Sequence, residues 1–247
     1  MKFLFTSLIF IPFLSFSQNK PLIPWIGKPN RIENPGAESN NSGAPLNWKS
    51  DYTLGAESNW VSEYGVTSHE WNHGNKKLGI PKNPGNNYFR LTVSREQESR
   101  KLNLFQKMNL EDIQVVLNSD TVIADFQVWI GSNYTTKTNC SYTEVKVLFS
   151  DASGKLLDSI FVKRVPGEFK DLDAGTPEAD ERGFNVMHEM QRSAIAKHVP
   201  KGTIRAVVKV HCEYPCNKHE REDEEESQGE SSNTFFFDNF SLGFYQK

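Results

Sequence analysis

The sequence predicts an all-β sandwich built as one domain. Three observations carry this: period-2 alternation of apolar and polar residues, turn signals at short spacing, and almost no helical periodicity. The clearest alternation runs over residues 121–131, where Val122, Ala124, Phe126, Val128 and Ile130 share one face. Ile123, Asp125, Gln127 and Trp129 share the other. Helices repeat every 3.6 residues and cannot sort side chains this way.

The N-terminus opens with Lys2, an apolar run from Phe3 to Phe16, and a small-x-small pattern at Ser15-Phe16-Ser17. This reads as a secretory signal peptide over residues 1–17, too short for a membrane span and followed by no second apolar run. A single domain is then expected over residues 18–247, a size that β-sandwiches reach as one unit. Residues 18–32 form a proline-containing lead-in with Trp25, and residues 33–63 hold short strands and loops around Trp48, Tyr52 and Trp60. Residues 72–87 read as a polar loop rich in Gly and Pro. Strands are expected over 87–93, over 102–108 (with Leu102, Leu104, Gln106 and Met108 opposite Phe105), over 142–149 and over 156–162. The last two are joined by the turn Asp151-Ala152-Ser153-Gly154. Residues 187–197 read as a short helix. A strong strand follows the Pro200-Lys201-Gly202 turn over 203–212, with Ile204, Ala206, Val208 and Val210 inward and Arg205, Lys209 and His211 outward. A charged run over 217–233 leads to the closing strand, 235–242.

The closing strand carries three consecutive aromatics, Phe235, Phe236 and Phe237, so both its faces are expected to be covered. Asp238 follows directly. A buried carboxylate is costly without a cation or several donors. Its expected counterpart is Glu38, in the turn Asn34-Pro35-Gly36-Ala37-Glu38, so that the two ends of the domain meet. Calcium takes six to eight oxygens from carboxylates and loop carbonyls, which suits such a pair.

These stretches also carry a resemblance. The Asn34–Glu38 turn, the Pro45-Leu46-Asn47-Trp48 stretch, the connector Val199-Pro200-Lys201-Gly202-Thr203 and the closing Phe237-Asp238-Asn239-Phe240-Ser241-Leu242 resemble jelly-roll carbohydrate-binding modules. These belong to the galactose-binding-domain-like superfamily, and the resemblance spans roughly residues 30–245. It implies a jelly-roll β-sandwich with a structural calcium held by Glu38 and Asp238. Fold alone does not imply function.

The expected ligand face starts from Trp129 with Gln127 and Asp125, all pointing away from the apolar face. Neighbouring strands are expected to add Glu144, Lys146, Arg205, Lys209 and His211. An indole plane flanked by acids, amides and a guanidinium suits a sugar, whose C–H face stacks and whose hydroxyls need polar partners. The bland reading packs Trp129 under a long loop. Partners are therefore expected to be poly- or oligosaccharides, at a cell surface or in a matrix, met by a secreted protein. A net charge of −3 with both signs scattered argues against a nucleic-acid surface.

His69-Glu70-Trp71-Asn72-His73 matches the His-Glu-x-x-His pattern of zinc proteases, but no 3.6 period surrounds it and Gly74 follows at once. A glycan-active hydrolase or lyase using this region is the alternative function, and a surface or adhesion protein is a third. The three cysteines, Cys140, Cys212 and Cys216, allow one disulfide and one odd thiol in an oxidising setting, with three pairings open.

Overall fold

The alternation in the sequence becomes two antiparallel five-stranded sheets packed face to face. The computed structural model describes residues 25–41, 44–50, 61–63, 87–94, 101–119, 121–132, 140–169, 190–215 and 232–247. The strands are β1 (Asn40–Asn41), β2 (Ala44–Pro45), β3 (Lys49–Ser50), β4 (Val61–Glu63), β5 (Asn87–Ser94) and β6 (Lys101–Asn109). They continue with β7 (Val122–Ser132), β8 (Tyr142–Ser150), β9 (Leu156–Arg164), β10 (Gln191–His198), β11 (Arg205–Glu213) and β12 (Ser232–Gln246). The first large sheet has the order β10-β7-β12-β5-β4, the second β3-β6-β11-β8-β9, and β1 and β2 form a small hairpin. This is a jelly-roll β-sandwich.

The inward residues are those that the alternation marks. Phe126, Val128 and Ile130 of β7, Val145, Val147 and Phe149 of β8, and Ala206, Val208 and Val210 of β11 are all fully buried. Gln106 is the one polar member of its inward set. Its amide copies a strand pairing, accepting from Glu33 N and donating to Glu33 O, both at 2.8 Å. A buried amide satisfied on both sides costs little.

β12 keeps both halves in the core by a one-residue bulge. Its pairing to β7 shifts between Asp238 and Ser241, with Asn239 in the left-handed region at φ 47°. Phe235 and Phe237 face inward before the bulge, and Phe240, Leu242 and Phe244 after it. Phe236 faces the other way and is also buried, against Met190, Tyr88 and Trp129. Both faces of the aromatic run are covered, as its sequence demands.

Two local expectations are corrected. The stretch read as a short helix over 187–197 is largely strand: β10 spans Gln191–His198 and pairs antiparallel with β7. Its alternation is weak because it is an edge strand with a polar outer side. The one α-helix among the described residues, α1 (Gln114–Ser119), follows a 3₁₀ turn at Glu111–Ile113, where the sequence pattern marks no element. At six residues it holds too few turns to show a period.

Cys212 is a free thiol, wholly buried, and donates to Thr143 Oγ1 at 3.3 Å. Burial pushes its pKa up to about 12, which makes it inert. Pairings of Cys212 with Cys140 or Cys216 are therefore excluded. The signal segment, Trp60, the His69–His73 pattern, Cys216 and the acidic run over 217–231 lie outside the described residues. No helix among the described residues is long and apolar enough to cross a membrane.

Candidate functional site

The two ends of the domain do meet. β5 pairs with β12 only as far as Phe237, leaving that edge of the later half of β12 open. Residues 25–35 take the vacant edge: Ile26 N donates to Phe244 O at 2.7 Å, Arg31 N to Leu242 O at 2.8 Å and Phe240 N to Pro35 O at 3.2 Å. Asn30 reinforces the seam by donating to Phe240 O and accepting from Leu242 N, each at 3.0 Å. Gly243 has to lack a side chain, since a Cβ there would meet Pro29 O and the Trp25 ring at 2.4 Å.

Above the bulge, the Asn34–Glu38 turn lies directly over Asp238. A Cβ on Gly36 would sit 3.0 Å from Asp238 Oδ1, 3.7 Å from Glu38 Oε1 and 3.9 Å from Asn239 Oδ1. Three side-chain oxygens thus gather beside Gly36. Asp238 is fully buried, and its Oδ1 accepts from Asn239 N at 2.6 Å. Glu38 Oε1 accepts from Asn87 N at 3.0 Å, while buried Asn87 Oδ1 has no hydrogen-bond partner. Asn34 and Ala37 adopt φ of 49° and 59°, so the turn is held in a costly conformation. Trp48 supports it from below: its Nε1 donates to Glu33 O and Asn34 O at 3.2 Å, and its ring packs on Phe89 and Phe240. The tryptophan of the Pro45–Trp48 stretch is therefore a core residue.

The residues expected to form one ligand face lie in two different sheets. Trp129, Gln127 and Asp125 are on β7 in the first sheet, whereas Arg205 and His211 are on β11 in the second. Both sets point outward, so they sit on opposite sides of the sandwich. Sequence alternation gives inside and outside but not which sheet a strand joins. On the first sheet, Trp129 is half-buried against the Met190–Phe236 pair. Gln127 is engaged on both sides, donating to Asp125 Oδ2 at 3.0 Å and accepting from Arg192 Nη2 at 2.6 Å.

The second sheet turns a different face outward. His211 is flanked by Asn103 and Glu144 on the adjoining strands, and Glu213 by Lys101 and Tyr142. Tyr142 Oη donates to Glu213 Oε2 at 2.5 Å, Lys101 Nζ lies 3.0 Å from Glu213 Oε1, and His211 Nε2 lies 3.1 Å from Glu213 Oε2. His211 Nδ1 meets Asn103 Oδ1 at 2.9 Å. Burial alone would raise the Glu213 carboxyl, but the bonds from Tyr142, Lys101 and His211 outweigh it and hold it at about 2. The Tyr142 hydroxyl moves the opposite way, pushed above its usual range by burial and then by the carboxylate it donates to. Near neutrality Glu213 is therefore ionised and the Tyr142 hydroxyl keeps its proton, so the bond between them persists. Alongside, Phe161 is 48% exposed with Lys146 Nζ 5.2 Å from its ring centre, and Lys163 Nζ lies 4.1 Å from that of Tyr142.

Sequence reading missed Tyr142, Glu213, Asn103 and Phe161. The first two were accessible, since Tyr142 shares parity with Glu144 and Glu213 shares it with His211. Asn103 and Phe161 depended on strand order.

No family model matches the chain, and no curated protein matches it by sequence. Similar solved structures include the enzymatically active domain of tailspike protein 4 of bacteriophage CBA120, at 14% identity over 87% of this chain, with a TM-score of 0.49. The chain spans 21% of that protein's length. A family 4 carbohydrate-binding module is similar at 12% identity over 86% of this chain and 98% of its own, with a TM-score of 0.34. The C-terminal family 22 carbohydrate-binding module of Clostridium thermocellum Xyn10B is similar at 11% identity over 83% and 89%, with a TM-score of 0.33.

Proposed function

We propose that this chain is a secreted, non-catalytic carbohydrate-binding β-sandwich that holds poly- or oligosaccharide on the outward face of its second sheet. One observation carries the reading: an exposed aromatic, Phe161, on the same face as a fixed hydrogen-bonding network of Tyr142, Asn103, His211 and Glu213. Sugar rings stack on apolar planes and place hydroxyls in the ring plane, so they need such a platform with polar partners beside it. Trp129, Gln127 and Asp125 form a second, smaller candidate face on the other sheet, where the indole is half-covered and the polar pair is already bonded.

Calcium belongs to the same proposal. The residues fit it: Asp238, Glu38 and Asn239 gather side-chain oxygens beside Gly36, where a Cβ would crowd Asp238, and the unpartnered Asn87 Oδ1 lies on the residue bonded to Glu38. Hard oxygen donors with two carboxylates suit calcium rather than zinc. Bound there, the ion would supply charge neutralisation for a buried carboxylate and tie the turn to the bulge. Its role is structural. With Cys212 a buried free thiol, Cys140 is the described cysteine left for a disulfide in an exported chain.

A panel of immobilised neutral and acidic glycans, probed with the secreted chain and with Phe161→Ala, tests the binding role. Binding to at least one glycan class is expected, with affinity reduced about three- to tenfold in the variant. The unfolding midpoint should hardly change, because the ring is half-exposed. Failure to bind any glycan, or an unaltered variant, contradicts the assignment.

A further inference from the structure

The register of the second sheet aligns one rung across all five strands: Lys49, Phe105, Lys209, Lys146 and Phe161 are successive cross-strand partners. At a strand spacing of about 4.8 Å, this line is on the order of 19 Å long. Lys209 and Lys146 stand directly opposite each other, an arrangement that disfavours folding. A sheet selected for stability alone has no use for that pair.

The whole face shares the bias. Its two carboxylates are already compensated, Glu144 by Lys146 and Lys163, and Glu213 by Lys101. Lys49, Lys107, Arg205 and Lys209 form no ion pair among the described residues. Among the described residues, seven cations against two carboxylates leave an excess of five positive charges on one face of a chain whose net charge is −3. Lys49 and Lys107 also line a polar cleft of about 830 Å³ at the sheet edge, where Lys28 and Arg31 face the carboxylates of Glu33, Glu111 and Asp112. Arg31 is held there by Asp112 at 2.7 Å, with its Nε buried and unpartnered.

We propose that the glycan bound on this face is acidic, a polymer bearing carboxylate or sulfate groups, lying along the Lys49–Phe161 rung with one end at the cleft. The inference rests on the sugar-binding reading above and names its substrate class. The ammonium groups of Lys49, Lys209 and Lys146 neutralise charges along the polymer, while Phe105 between the first two and Phe161 at the end of the rung supply apolar planes. Glu144, Glu213 and Asn103 accept from hydroxyls, which a phosphodiester chain offers sparsely. Single-stranded nucleic acid needs several open rings for stacking. Phe161 is the one exposed aromatic of this face among the described residues, which favours polysaccharide.

The test is isothermal titration of the full secreted chain with polygalacturonate, a sulfated galactan, the same galactan after desulfation, single-stranded DNA, and phosphatidylglycerol vesicles. An acidic polysaccharide is expected to bind at least tenfold tighter than the desulfated galactan at about 0.05 M salt and to lose most of that advantage near 0.5 M. Lys209→Gln should weaken acidic-glycan binding about tenfold without lowering the unfolding midpoint, since it removes the facing-lysine repulsion. Equal binding of charged and desulfated galactan overturns the acidic class but leaves the sugar-binding reading standing. Binding of no glycan at all overturns both. DNA or vesicles bound as tightly as the acidic glycan, or Lys209→Gln behaving as wild type, also overturn the inference.

Discussion

Asp238→Ala should lower the unfolding midpoint by roughly 5–10 °C in calcium and remove its response to a chelator. Wild type is expected to lose about the same when the chelator is added. An ion present at a hundred times its Kd stabilises by about 2.7 kcal/mol, and for a chain of this size each kcal/mol shifts the midpoint by about 2–4 °C. Asp238 is a fully buried carboxylate at the bulge, and Glu38 and Asn239 bring side-chain oxygens beside Gly36, next to it. A buried charge is tolerated only when something compensates it. Scanning calorimetry with calcium and with chelator checks this. Identical wild-type midpoints in the two conditions would remove the metal and leave Asp238 to be compensated by hydrogen bonds alone.

Phe240→Ala should cost about 3–5 kcal/mol, the largest single-residue effect expected in the core. Phe240 is 1% exposed and touches the rings of Trp48, Phe89 and Phe237. It is the first inward residue after the bulge, and it supports the Trp48 indole beneath the Asn34–Glu38 turn. Its loss therefore opens a cavity under the very segment that closes the domain. Chemical denaturation of the variant, against Phe161→Ala as an exposed control, checks it. A change below about 1 kcal/mol would mean that the neighbouring rings collapse into the space.

Much of the sandwich is legible in the sequence because inward and outward residues alternate without interruption on β7, β8 and β11. The meeting of the termini is legible too, because Asp238 in an aromatic strand demands a partner and Glu38 stands in the right kind of turn. Three features were hidden, each for a physical reason. The switch of inward parity at Asn239 depends on one left-handed residue, and Asn also adopts ordinary conformations. β10 lacks a buried outer face and so carries a weak pattern. The separation of Trp129 from His211 follows from strand order, which is set by long-range pairing and leaves no local trace. A ligand face assembled from alternation alone therefore merged two sides of the molecule.

The location of the glycan face is tested most directly by NMR titration of the isotopically labelled secreted chain with an oligosaccharide that binds. Shifts are expected to concentrate on outward residues of β6, β11, β8 and β9, among them Phe105, Tyr142, Lys146, Phe161, Lys209 and His211. Shifts centred instead on Asp125, Gln127, Trp129 and Arg192 would contradict that location and place the ligand on the first sheet.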